Sequence, residues 1–91
     1  MKVFQSRSFA KKVKMLNKQE KSILDDQIRS ILKDPSIGNE KKGDLKGIFV
    51  HKFKVKATQY LLAYRIFEDN LELVMLGPHE NYYRDLKKSI K

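Results

Sequence analysis

Cysteine is absent from the chain. That excludes a disulfide framework, a thiol nucleophile and a thiolate zinc site. Histidine is scarce: His51 and His79 stand alone, too few for a histidine metal site without several carboxylates. The expectation is chemistry with neither metal nor cofactor. No early apolar run has the form of a signal peptide, and none approaches the roughly 18 residues of a membrane span. A cytoplasmic protein with no membrane partner is expected. Glycine-rich phosphate loops, triad spacings and paired-carboxylate motifs are also missing. With 91 residues there is no room for a cofactor domain beside a substrate domain, so residues 1–91 are expected to form one domain. Acid is the remaining shortage. Eleven Asp and Glu face twenty Lys and Arg, a net charge of +9. Such an excess favours a polyanionic partner, whether nucleic acid, ribosome, anionic membrane or acidic protein. Solubility accounts for it equally well.

What is present is a folded chain, 41% apolar, whose hydrophobic period changes along its length. Val3 and Phe4 suit an opening strand. Ser6 and Ser8 are N-cap candidates, and Phe9, Val13 and Leu16 then recur on one helical face. After a break at Asn17-Lys18, a second helix to about Lys33 carries Leu24, Ile28, Ile31 and Leu32, flanked by Ile23. Asp34-Pro35 ends it, because the residue before a proline disfavours helical angles. The short link predicts an antiparallel helix hairpin. Residues 35–43 read as a polar loop.

From Phe49 the period becomes two. His51, Phe53 and Val55 share one face of a strand; Lys52, Lys54 and Lys56 share the other. Ala57-Thr58 is expected to turn. The strand from Gln59 to Phe67 sets Tyr60, Leu62, Tyr64 and Ile66 against Leu61, Ala63 and Arg65. Glu68-Asp69-Asn70 is a hairpin turn. Leu71 to Leu76 is a third strand, stopped by Gly77-Pro78, and Glu80 to Ile90 is a last helix. The class is α+β: a small antiparallel sheet, an N-terminal helix hairpin packed on it and a C-terminal helix, in the order β-α-α-β-β-β-α.

Three features could carry chemistry. Lys52, Lys54 and Lys56 repeat at about 6.5 to 7 Å, close to successive phosphates on a single strand. A solvated sheet face explains them as well. His79 precedes the last helix, with Tyr83 four residues on and so on the same face. Histidine suits acid and base work near neutrality, and a helix start favours anions. A structural reading makes His79 a cap and lets Tyr82, Tyr83, Leu86 and Ile90 pack as a core stripe. Arg65 offers a fork for phosphate or an ordinary surface charge. His51 shares the parity of Phe53 and is expected to be a partly buried, hydrogen-bonded residue.

The stretch Leu45-Lys46-Gly47, with Val50-His51-Lys52-Phe53-Lys54-Val55 and Gln59-Tyr60-Leu61-Leu62-Ala63-Tyr64-Arg65-Ile66, resembles the central strands of the RelE/ParE toxin superfamily. Gly77-Pro78-His79-Glu80-Asn81-Tyr82-Tyr83-Arg84-Asp85-Leu86-Lys87 resembles the closing motif of one branch. The likeness spans nearly the whole chain. It implies the toxin of a type II toxin–antitoxin pair. RelE-like members cut messenger RNA on the ribosome without metal, and ParE-like members inhibit DNA gyrase. By that resemblance Lys52, Lys54, His79 and Tyr83 match catalytic positions. Lys56, Arg65 and Arg84 are expected to contact RNA phosphates. In this reading the RNA 2′-hydroxyl attacks the adjacent phosphate. Lys54 and Arg65 steady charge, Lys52 is the candidate base and His79 the candidate acid, two roles that could be exchanged. One departure stands out: where RelE-like strands commonly carry an arginine, this chain has Leu61. The resemblance also implies an acidic antitoxin that binds the basic groove of a toxin otherwise monomeric.

Overall fold

The computed structural model describes residues 1–78, 80 and 82–89. Strand β1 (Val3–Gln5) leads into helix α1 (Arg7–Lys14) and helix α2 (Lys18–Lys33). A single 3-10 turn (Pro35–Ile37), the two-residue strand β2 (Asn39–Glu40) and a second 3-10 turn (Gly43–Leu45) follow. Strands β3 (Phe49–Val55), β4 (Thr58–Phe67) and β5 (Asn70–Pro78) precede helix α3 (Tyr82–Ser89). Among the described residues no helix is long and apolar enough to cross a membrane.

The helices start where their caps dictate. Ser6 Oγ accepts the Phe9 N–H at 3.0 Å and donates to the Val74 carbonyl at 2.5 Å. One hydroxyl therefore caps α1 and ties it to β5. Asn17, expected as part of a break, caps α2: its Oδ1 accepts the Glu20 N–H at 2.8 Å, and Glu20 Oε1 accepts the Asn17 N–H at 2.9 Å. This reciprocal box satisfies two orphan donors. Asp34 closes α2, and its carboxylate accepts from Ser36 Oγ and N–H. Those bonds, the hydroxyl's first, hold its pKa below the usual carboxylate range.

The five strands run in the order β1-β5-β4-β3-β2, with β1 parallel to β5 and the other pairs antiparallel. The expected loop over 35–43 thus contains an edge strand. β5 also extends past its expected stop: Gly77 pairs with Leu61 and Pro78 with Tyr60. Proline is tolerated there because β1 covers only Leu71 to Leu73, leaving the outer edge without a ladder to break.

Both faces of the sheet carry a core. On one, Phe9, Leu24 and Ile31 of α1 and α2 pack on Phe53, Val55, Leu62, Tyr64, Leu71, Leu73 and Leu76. On the other, Tyr82 and Leu86 of α3, with Leu45 and Ile48, pack on Val50, Leu61, Ala63 and Val74. This is why Leu61-Leu62-Ala63-Tyr64 is buried at four consecutive positions. Each large side chain so buried contributes about 1.5–3 kcal/mol. Leu32, expected in the α2 stripe, is instead 37% exposed.

A bulge lies where Ala63 pairs with Met75 but Tyr64 with Leu73, leaving Val74 as the extra residue. It switches the parity of β5, so that Leu71, Leu73 and then Leu76 all reach the α1–α2 face. Tyr64 anchors the β2 side. Its hydroxyl donates to the Pro35 carbonyl at 2.5 Å and accepts the Gly38 N–H at 3.0 Å. A Cβ on Gly38 would stand 2.6 Å from that oxygen, so only glycine fits.

Candidate functional site

The alternation of β3 sorts its residues between the two cores. Val50 is buried beneath α3, and Lys52 and Lys54 continue the same face into solvent. Lys52 lies opposite Leu61, and Leu61 opposite Gly77. Gly77 is therefore two strand spacings, about 10 Å, from Lys52. Tyr82 packs on Gly77, with ring carbons 3.5 and 3.7 Å from where a Cβ would stand. The start of α3 and the two lysines thus occupy one end of one sheet face.

Lys56 does not extend this ladder. β3 ends at Val55, which pairs with Thr58, so the turn is Lys56-Ala57 and not Ala57-Thr58. Lys56 has φ +56°, a left-handed conformation that two-residue hairpins demand and lysine adopts at a cost. The second hairpin is shifted in the same way. Glu68 and Asp69 carry positive φ, and Asn70 is already in the strand.

Arg65 is not brought to the lysines. Its Nε donates to Glu72 Oε1 at 2.6 Å across the β4–β5 pair. It lies four positions, about 13 Å, along β4 from Leu61. Leu61 is fully buried, so the place of the familiar arginine is a packing position beneath α3.

Of the closing motif, His79 lies outside the described residues. Tyr82 is buried, its hydroxyl donating to the Met75 carbonyl at 2.8 Å, and burial pushes its phenol well above the ordinary range. Tyr83 is half-buried. It meets Tyr82 edge-on at 5.7 Å, and Lys41 Nζ sits 5.1 Å from its ring centroid. This cation–π pair was not legible in sequence, although the lysines at 41, 42 and 46 were its one available signal. Arg84 is exposed, its Nε 4.0 Å from Asp85 Oδ1, a surface pair of little energetic weight.

His51 occupies the α1–α2 face. Its Nε2 is 2.7 Å from Gln27 Oε1, and its ring stacks on Phe53 at 6.1 Å. Burial lowers its pKa from 6.5. Both the parity and the hydrogen-bonded character expected of it are seen. Among the described residues no three His, Asp or Glu side chains gather as a metal site requires.

Comparison with known proteins addresses the whole chain. Residues 3–87 match the family model of the ParE-like toxin of type II bacterial toxin–antitoxin systems. Among solved structures, a mutant of the E. coli toxin RelE in the free state superposes with a TM-score of 0.74 at 18% identity, covering 99% of this chain and 97% of that one. The toxin–antitoxin complex RelBE of E. coli matches with a TM-score of 0.69 at 17% identity, covering 87% of this chain and 96% of the matched chain. The isolated E. coli RelE toxin gives 0.67 at 17% identity, covering 96% of each. No curated protein matches the sequence significantly. At such identities the structural likeness establishes the fold, the α+β arrangement of a RelE-like toxin. The family match spans nearly the entire sequence, and the chain belongs to the ParE-like toxins of type II bacterial toxin–antitoxin systems.

Proposed function

We propose that the protein is a messenger RNA endonuclease that acts on the ribosome and arrests translation. The observation that carries this reading is the placement of Lys52 and Lys54, exposed, on the face and at the end of the sheet where α3 begins. Two lysine side chains on alternate strand positions suit the backbone of a single strand. In the proposed reaction the RNA 2′-oxygen attacks the adjacent phosphorus and the bond to the 5′-oxygen breaks. A 2′,3′-cyclic phosphate and a 5′-hydroxyl result. Lys52, reacting as the neutral amine, takes the 2′ proton and becomes an ammonium, and the Lys54 ammonium steadies charge on the phosphate. His79 protonates the leaving oxygen, and Tyr83 orients the strand or stacks on a base. Arg65, ion-paired at a distance, is assigned to a separate phosphate, and exposed Arg84 to another. The chemistry asks for no cofactor.

An acidic antitoxin encoded by an adjacent gene is proposed to silence the toxin. Support comes from the family and from the fold it shares with the toxin of the RelBE complex. Its acidic surface would complement the +9 charge.

One observation favours a second reading, a gyrase inhibitor that needs no proton transfer: Leu61 fills a sealed apolar position where RelE-like toxins place an arginine. Induction of the toxin separates the two. The nuclease reading expects amino-acid incorporation to stop first, with cut transcripts. Arrest of DNA synthesis with damage signalling and intact transcripts would support the inhibitor instead.

A further inference from the structure

We propose that residues 41–46 form a second RNA-phosphate site, on the far side of Tyr83 from Lys52 and Lys54. The inference rests on the nuclease reading above and extends the path of the strand.

The loop leaves β2 and closes a concavity lined by Glu40, Lys41, Lys42, Gly43 and Lys46, with a volume of about 350 Å³. Three lysines and one glutamate therefore line one hollow, with the exposed Asp44 in the same loop. The backbone is shaped to do this: Gly43 has φ +70° and Gly47 φ +87°, conformations that glycine adopts without cost. Two backbone bonds brace the loop, from the Lys41 N–H to the Ile48 carbonyl at 2.8 Å and from the Ile48 N–H to the Leu45 carbonyl at 2.9 Å. Leu45 and Ile48 are buried in the α3 core.

The position of the hollow matters more than its charge. Lys41 is bonded opposite Ile48, and Ile48, Val50, Lys52 and Lys54 follow one another on the same face. Between the Lys41 level and Lys52 lie two steps of the alternation that separates Lys52 from Lys54, about 13 Å. Tyr83 lies within this gap: the Lys41 ammonium is 5.1 Å from its ring centroid, and its neighbour Tyr82 packs on Gly77, at the level of Lys52. Cationic groups on both sides of an aromatic ring are the arrangement that tracks a single-stranded backbone and offers a face to a base. A strand held by Lys52 and Lys54 would pass Tyr83 and reach the hollow without leaving the face. The ligand assigned is a phosphodiester of single-stranded RNA.

Binding of a short fluorescent oligouridylate, followed by anisotropy across a salt series, tests the site. The variant is Lys42→Gln/Lys46→Gln, whose lysines are both exposed, so the fold should survive; an unchanged thermal midpoint verifies that. Affinity should fall several-fold. The salt slope should become shallower by about 0.7 for each phosphate no longer neutralised, about 1.4 for two. Lys52→Gln/Lys54→Gln should lower the slope independently, and the quadruple variant should show the two reductions together. An unchanged slope in the loop variant beside a reduced one in the strand variant overturns the second site and leaves the nuclease reading standing. If wild type fails to bind, or neither variant changes the slope, both readings fall. Full RNA binding by the loop variant with loss of binding to poly-glutamate would reassign the loop to an acidic protein and overturn the proposal.

Discussion

Leu61 and Leu62 are neighbours in sequence, equally buried, and belong to opposite faces of one sheet. The face beneath Leu62 is covered by α1 and α2, the latter sixteen residues long and fixed by a capping box. The face beneath Leu61 is covered by α3, eight residues long. Among the described residues this cover leaves side chains at both ends of the face in solvent. Lys52 and Lys54 emerge at one end, and exposed Phe67 with the Arg65–Glu72 pair at the other. The site exists because the cover is incomplete. A full-length helix on that face would have made β3 apolar on both sides.

The strongest way to break this contrast is through the two leucines. Leu62→Ala should cost about 3–5 kcal/mol and Leu61→Ala about 2–3 kcal/mol, because a short helix can settle into the space left. Urea denaturation of both variants reads the difference, and a larger destabilisation at Leu61 would show that α3 is the rigid cover. Tyr64→Phe removes the hydroxyl that serves both Pro35 and Gly38. It should cost about 1–3 kcal/mol by stranding buried polar groups, with faster hydrogen exchange at the Gly38 amide.

The smallest effect is expected at His51, on the well-covered face. Its folded pKa lies below 6.5 because burial disfavours the charged ring. Above 6.5 the ring is neutral in both states and its contribution is complete. As pH falls from 6.5 through the lower folded value, the unfolded chain takes up a proton first and that stability is lost. The bond to Gln27 does not oppose this, since a protonated ring still donates. Thermal midpoints across this window should decline more in wild type than in His51→Gln, and parallel curves would show that His51 does not set the acid sensitivity of the fold.

Much of this contrast could be read from the chain. The Ser6 cap, the Asp34-Pro35 stop, the alternation of β3 and the opposed faces of β4 all follow from local rules, and each is present. What escaped depends on residues distant in sequence. The Val74 bulge sets where Glu72 meets Arg65, and no residue type announces it. β2 is two residues paired with β3, too short to carry a period. Lys56 fits the strand alternation but is claimed by the turn, since the register places Val55 against Thr58. Within the site, the exposure of Lys52 and Lys54 followed from parity. Lys41 over Tyr83 did not, because a loop lysine gives no sign of which helix it will meet.

Above all, Lys52 and Lys54 are assigned to act on RNA and to contribute nothing to the fold. Mapping transcript ends after induction of wild type and of Lys52→Gln/Lys54→Gln tests this most directly. Substitutions at two exposed positions should change stability by no more than about 0.5 kcal/mol. Wild type should generate new 5′-hydroxyl ends within translated messages, and the equally folded variant should lose them together with growth arrest. Undiminished cleavage by a folded variant, or toxicity from wild type with no new ends, would contradict that assignment.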